Sequence, residues 1–198
     1  MVSRIKEYLG RFLTLTPEEW NALAHLLEVR TCDKKVKLVE EGEKETHLHF
    51  VVKGLARKYF YRGQEEIITQ LAKEGEIISS SVSFLTGSPS DYIVETIEPT
   101  TFISLSRENI EQLYRAGNKF QRLGRLVITE LFLEKERWEL ERITYTTRER
   151  FVRFVSGNHD LFQRVPQKYL ASYLHIKPET FSRLKHLLNS KKAGSVSV

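Results

Sequence analysis

The chain has 198 residues, 40% of them hydrophobic and 29% charged, with a single cysteine at Cys32. That length suits one or two domains with real apolar cores, and one cysteine excludes an internal disulfide, a Cys-rich zinc site or a cysteine-ligated iron–sulfur cluster within one chain. The net charge of +5 is unevenly placed: residues 144–198 hold ten Lys/Arg against three Asp/Glu, whereas residues 1–143 hold 21 against 23. A basic C-terminal block on a slightly acidic body points to a polyanion-binding module. No apolar run reaches the roughly 18–20 residues of a membrane span, and Met1–Glu7 lacks the apolar centre of a signal peptide. The expected compartment is the cytoplasm, with no membrane partner.

Along the chain, Thr16-Pro17-Glu18-Glu19 predicts a helix start. Thr can cap, Pro suits the first helical position, and the acids favour the positive end of the helix dipole. Trp20, Leu23, Ala24 and Leu27 then share one face. From about Cys32 to Leu105 the pattern turns to short β-rich runs separated by glycine turns: His47–Val52, Ala56–Tyr61, Ile67–Leu71, Ile93–Ile97 and Thr101–Leu105. Runs at this spacing predict a sandwich or roll of antiparallel strands. Ser106 caps a further helix. From about Lys119 to Ile143 a long amphipathic helix is expected, with Phe120, Leu123, Val127, Leu131 and Trp138 close to one stripe. A partner helix or the β domain would bury that stripe, and Glu134 interrupts a strict heptad.

The most informative segment is Pro166–Leu188. Pro166 and Pro178 each suit a helix start. Leu170 and Leu174 face inward, Ala171 is small where two helices must cross, and Ile176 plugs the turn Leu174-His175-Ile176-Lys177. Phe181, Leu184 and Leu188 make the second helix's buried stripe. This is a helix-turn-helix pattern without the frequent turn glycine; His175 stands where that glycine is expected. The exposed face carries Lys177, Glu179, Thr180, Ser182, Arg183 and His186. Glu can accept from cytosine N4, Arg can clamp guanine, and Ser or Thr can bond to bases or phosphates. Lys168, Lys185, Lys191 and Lys192 are better placed for phosphates. The expected partner is double-stranded DNA. An ordinary helical hairpin with a polar face is the competing reading.

In this order of parts the chain resembles the CRP/FNR superfamily of transcription regulators. Pro178-Glu179-Thr180-Phe181-Ser182-Arg183 is similar to the family's recognition-helix start, with Pro178 in place of its first arginine. The resemblance implies an α+β chain of three parts. Residues 1–118 form a cyclic-nucleotide-binding-like β-roll (a double-stranded jelly roll), 119–143 a dimerisation helix, and 144–198 a helix-turn-helix domain. Only about ten residues follow the recognition helix, so its wing is expected to be reduced or missing. The resemblance also implies a homodimer paired through 119–143 and leaves RNA polymerase open as a partner.

The sensor half carries the same resemblance. Glu74-Gly75-Glu76-Ile77-Ile78 is similar to the start of the phosphate-binding cassette, where Gly-Glu-apolar leads into a short helix. Gly75, Glu76 and Ile77, with Ser79, Ser80, Ser81 and Ser90, are the candidate ligand residues. The family's phosphate-holding arginine corresponds to Ser90, and Asp91 adds a negative charge. A charge-assisted hydrogen bond is worth roughly 1.5–3 kcal/mol, so cyclic AMP is not expected to act by the usual route, and the small-molecule effector is unknown or absent. No cofactor, metal site or catalytic group is expected: there is no nucleophile–base pair, no His-Glu-x-x-His and no GxxxxGK[ST] loop. The alternative is a cyclic-nucleotide or other small-ligand module whose output is not DNA binding.

Overall fold

The computed structural model describes the backbone of residues 2–194 and side-chain surroundings as far as Leu187. Two helices precede the strands, α1 (Val2–Gly10) and α2 (Pro17–Ala24). The latter starts as its chemistry dictates. Glu19 N–H donates to Thr16 Oγ1 (3.3 Å), Thr16 N–H donates to the Glu19 carboxylate (2.7 Å), and Pro17 takes the first turn. This reciprocal cap satisfies two amides that the helix leaves unpaired.

Eight strands follow: β1 (Glu28–Cys32), β2 (Lys37–Val39), β3 (His47–Lys53), β4 (Ala56–Arg62), β5 (Glu65–Ala72), β6 (Ile77–Ile78), β7 (Ile93–Thr96) and β8 (Thr100–Ser106). A short helix, α3 (Ser81–Thr86), lies between β6 and β7. The strands form two antiparallel four-stranded sheets, ordered β1-β8-β3-β6 and β2-β7-β4-β5. Strand alternation sends one set of side chains between the sheets: Val39, Val51, Ala56, Ala72, Ile78, Val94 and Phe102 fill that space. The outer faces are then apolar too, and each is covered by helices.

The outer face of the first sheet presents Phe50, Val52 and Ile103 to α1, α2, α4 (Arg107–Ala116) and the start of α5 (Asn118–Thr144). Phe120, Leu123 and Val127 of α5 are buried there, and Leu131 is half-buried against the same cluster. Beyond it the helix leaves the roll. Trp138 packs instead on Tyr173 (ring centroids 5.4 Å) and His175 (5.7 Å). Ile128, Phe132, Leu133, Leu140 and Ile143 stay exposed. At about 100° per residue these five cover an arc of about 140° roughly opposite the buried stripe. Glu134 falls on the roll-facing side, so it does not break this outward arc. The expected stripe is thus real, but this chain's own β-roll and C-terminal helices cover it.

The outer face of the second sheet presents Leu55, Tyr59, Ile68, Leu71, Ile93 and Ile97 to the C-terminal helices. These are α6 (Thr147–Gly157), α7 (His159–Arg164), α8 (Gln167–Tyr173) and α9 (Pro178–Gly194). Phe151 and Phe181, both essentially inaccessible, meet edge to face at 5.1 Å in the centre of that cluster. β5 is the edge of its sheet and would expose unpaired backbone groups. Ser172 of α8 covers them: Ile68 N–H donates to its Oγ (3.0 Å), and that Oγ donates to Glu66 O (2.7 Å). No helix among the described residues is long and apolar enough to cross a membrane.

Candidate functional site

Two sites follow from this framework. The first is the pair α8–α9. Leu170, Ala171, Leu174, Ile176, Phe181 and Leu184 are buried, as the spacing predicts for two helices crossing on one apolar face. The turn closes through His175 N–H to Ser172 O (3.0 Å) and Ile176 N–H to Ala171 O (2.9 Å). His175 has φ of 52°, the left-handed conformation that glycine takes most easily. Its ring is held against Trp138, and burial with the nearby Arg142, Arg150 and Arg62 guanidiniums pushes its pKa down.

Packing one face of α9 leaves the other in solvent. Lys177, Glu179, Ser182, Arg183 and His186 are exposed, and Thr180 is half-exposed. Lys168 is exposed beside the Tyr169 ring (4.8 Å), and Lys185 reaches across the Phe162 ring (5.8 Å). The candidate DNA residues therefore form an accessible polar surface that the β-roll does not cover. The side chains of Leu188, Lys191 and Lys192 lie outside the described residues, as does the reduced-wing expectation beyond Gly194.

The second site is the end of the β-roll around α3. Ser79, Ser80, Ser83 and Ser90 are buried there. Gly75 and Glu76 lie earlier, in the β5–β6 turn. The Glu76 carboxylate accepts from Lys73 N–H (3.1 Å), and burial raises its pKa. The Gly-Glu-apolar stretch does not lead straight into a helix as expected. Ile77 and Ile78 pair with Phe50 and His49, which keeps them extended, and α3 begins only at Ser81. Gly75 and Glu76 thus precede α3 with the strand that holds Ile77 between them, and Ser81 is exposed.

The buried serines are satisfied from within the chain. Ser90 Oγ lies 2.7 Å from both Ser80 Oγ and Tyr92 O, and accepts from Tyr92 N–H at 3.0 Å. Ser83 Oγ accepts from Glu45 N–H (2.9 Å), and Ser79 Oγ donates to His47 O (3.1 Å). At their centre is Glu45, only 4% exposed. Its carboxylate accepts from Ser80 N–H (3.4 Å) and His47 N–H (3.1 Å), with His49 Nε2 at 3.6 Å. Burial opposes ionisation of Glu45, yet His49 and these amides more than offset it and hold the carboxyl below its ordinary range. An anionic phosphate brought to the Ser80 amide would meet this carboxylate and find the Ser90 hydroxyl where the resemblance places an arginine.

Glu45, His49 and Lys58 were not among the sequence candidates. Lys58 Nζ donates to Ser79 O (3.2 Å), and burial with Lys135 nearby lowers its pKa to about 8. Alternation in Ala56–Tyr61 gave a usable signal, because Lys58 shares a face with the inward Ala56. Glu45 lies in a loop whose sequence has no such period. Among the described residues, no group of three or more His, Cys, Asp or Glu could hold a metal ion.

Taken together, a two-sheet β-roll, a long helix and a C-terminal helical unit make up the fold. Residues 29–116 match the family described as cyclic nucleotide-binding domain. No curated protein matches the chain. Among solved structures, the catabolite activator protein of Thermus thermophilus is similar over 93% of this chain and 88% of its own, with 21% identity and a TM-score of 0.56. The c-di-GMP-responsive global regulator CLP of Xanthomonas campestris covers 89% and 93%, with 16% identity and a TM-score of 0.66. FixK2 of Bradyrhizobium japonicum covers 84% and 86%, with 18% identity and a TM-score of 0.67. At these identities the likeness is one of fold.

Proposed function

We propose that this protein is a sequence-specific, DNA-binding transcription regulator of the CRP/FNR type. It acts in the cytoplasm as a homodimer and is not an enzyme. Residues 1–118 serve as the sensor, 119–143 as the pairing helix and 144–198 as the DNA-binding domain. The carrying observation is the exposed face of α9: Glu179, Ser182 and Arg183, with Lys177 just before its first turn, are exposed on a helix whose opposite face, Phe181 and Leu184, is locked into the core. The surplus of seven positive charges over residues 144–198 supports the same reading. The outward arc of α5 supplies an apolar seam for a second copy, and two reading helices about 34–36 Å apart would address a near-palindrome. The β-roll does not hold cyclic AMP through a phosphate–arginine contact, because Glu45 and Ser90 occupy that end of the roll with their own hydrogen bonds.

Selection of duplex sequences across a salt series tests this. One motif should be enriched, with a steep fall of affinity as salt rises. Arg183→Ala should relax specificity at one position at a cost of about 1–3 kcal/mol, whereas Lys168→Ala should weaken all duplexes about equally. No enrichment over random duplex at moderate salt would sink the proposal.

A further inference from the structure

An open-sided cleft of about 510 Å³ lies where the end of α5 meets α6 and α8. That volume falls within the range of small-molecule sites. One wall is aromatic: Trp138 and Phe154 both pack on Tyr173, at 5.4 and 5.9 Å between ring centroids. Three guanidiniums, Arg142, Arg150 and Arg153, also line the cleft. One carboxylate, Glu141, lines the cleft with them and pairs with Arg153 (3.0 Å). Arg142 has its guanidinium over the Trp138 ring (5.6 Å to the centroid), makes a long 3.8 Å contact to Glu139, and its side chain is 41% exposed.

Arg150 is the most telling residue. Its Nη1 donates to Arg142 O (3.1 Å) and Tyr145 O (2.8 Å), the carbonyls that end α5, so the guanidinium is held in one orientation. Its Nε is buried and has no hydrogen-bond partner among the described residues. A buried unpaired donor normally costs stability, and a charged one more than a neutral one. Burial first, and then the nearby Arg142, Arg150 and Arg62 guanidiniums, lower the pKa of His175, whose ring packs on Trp138. A held guanidinium, Arg150, and a second one, Arg142, beside a half-buried aromatic wall suit a flat ring bearing an oxyanion: the ring packs on the wall and the guanidiniums take the phosphate.

We propose that this cleft binds a small phosphorylated aromatic compound of the nucleotide class, outside the β-roll. The ring would stack on Trp138 and Tyr173, with the phosphate between Arg142 and Arg150. A duplex backbone is the poorer fit, because the aromatic wall has no counterpart on it. Lys177 and the α9 residues Glu179, Ser182 and Arg183 do not line the cleft. An occupant would touch α5, α6 and α8 at once and so fix the angle between the long helix and the reading pair; only this consequence rests on the DNA-binding proposal.

Trp138 supplies the readout, because Trp20 is the other of the two tryptophans. In the full-length Trp20→Phe protein, Trp138 emission is followed on titration with adenosine and guanosine monophosphate and with inorganic phosphate. At least one nucleotide should quench saturably with Kd of about 1 mM or tighter, and phosphate alone should bind about tenfold or more weakly. Arg142→Gln and Arg150→Lys, which keep fold-compatible side chains, should each weaken the nucleotide about tenfold or more, the worth of one charge-assisted hydrogen bond. Lys58→Ala, in the β-roll, should change nothing. The proposal falls if neither nucleotide gives a saturable response to about 5 mM, if phosphate alone binds as well as the nucleotides, or if Lys58→Ala abolishes the response while the arginine variants keep it. It also falls if the arginine variants lose only duplex affinity, which would assign the cleft to DNA phosphate. None of these readouts but the last requires DNA, so failure here leaves the DNA-binding proposal to its own test.

Discussion

One guanidinium ties the C-terminal helices to the β-roll. Arg164, at the end of α7, donates from Nη1 and Nη2 to the two oxygens of Glu74 (2.9 Å each) and from Nη2 to Glu98. Glu74 follows β5 and also accepts from Gly54 N–H at 2.8 Å; Glu98 sits in the β7–β8 turn. Burial works against the Glu74 carboxylate, but Arg164 and the backbone N–H groups of Gly54 and Glu74 itself outweigh it, and the pKa falls from 4.5 to about 2. Such a change corresponds to about 3 kcal/mol in all. Shared among those donors, and screened because Arg164 and Glu74 are 28% and 29% exposed, the Arg164–Glu74 coupling comes to about 1–2 kcal/mol. For a chain of this size that is about 2–8 °C in Tm.

The pH dependence has a defined sign. A carboxyl whose folded pKa is depressed adds stability that is complete above its unfolded value, here about 4.5, and is lost as pH falls through about 2. Thermal melts of wild type, Arg164→Ala, Glu74→Ala and the double variant should therefore give a coupling of about 1–2 kcal/mol at neutral pH that is largely gone by about pH 2. In Arg164→Ala the acid loss should be smaller and should be complete closer to 4.5, because the folded pKa of Glu74 rises while the unfolded one stays. Single-variant losses that simply add at neutral pH, leaving a coupling under about 0.3 kcal/mol, would refute the reasoning.

Gly54→Ala should cost about 3 kcal/mol or more. Gly54 has φ of 102°, and a Cβ there would sit 2.6 Å from Pro99 O and 2.7 Å from Thr100 Cα, backbone atoms that cannot move aside. Gly63→Ala is the control: its φ is 64° with nothing within 4 Å, so a melt should show a loss of only about 1 kcal/mol. Equal losses at the two glycines would remove the steric argument. Leu140→Glu with Ile143→Glu, at positions 65% and 74% exposed, should leave circular dichroism unchanged and give a monomer in sedimentation where the parent chain is a dimer. A variant that still sediments as a dimer would take the outward arc of α5 out of the pairing seam.

Much of this molecule can be read from local chemistry. The caps at Thr16 and Ser106, the strand runs between His47 and Leu105, and the apolar spacing of Leu170, Ile176, Phe181 and Leu184 depend on contacts within a few residues, so periodicity and capping reveal them. His175 is the clearest case: its place in the turn pattern marks the left-handed position that its φ of 52° occupies. What the sequence could not determine is which elements share a surface. The α1 helix, the short strands β1, β2 and β6, and the delayed start of α3 carry too few residues for a period to register. The covered stripe of α5 reads the same whether a second chain or this chain's β-roll lies over it. Glu45 gains meaning only because folding carries a loop carboxylate to Ser80, 35 residues on, and Arg150 only because the end of α5 returns its carbonyls to that guanidinium. Ser172 likewise has no signal of its own until β5, more than 100 residues away, offers it an unpaired edge. Short-range order was written in the spacing of apolar and capping residues; the charge-bearing sites were decided by long-range packing, which no local pattern encodes.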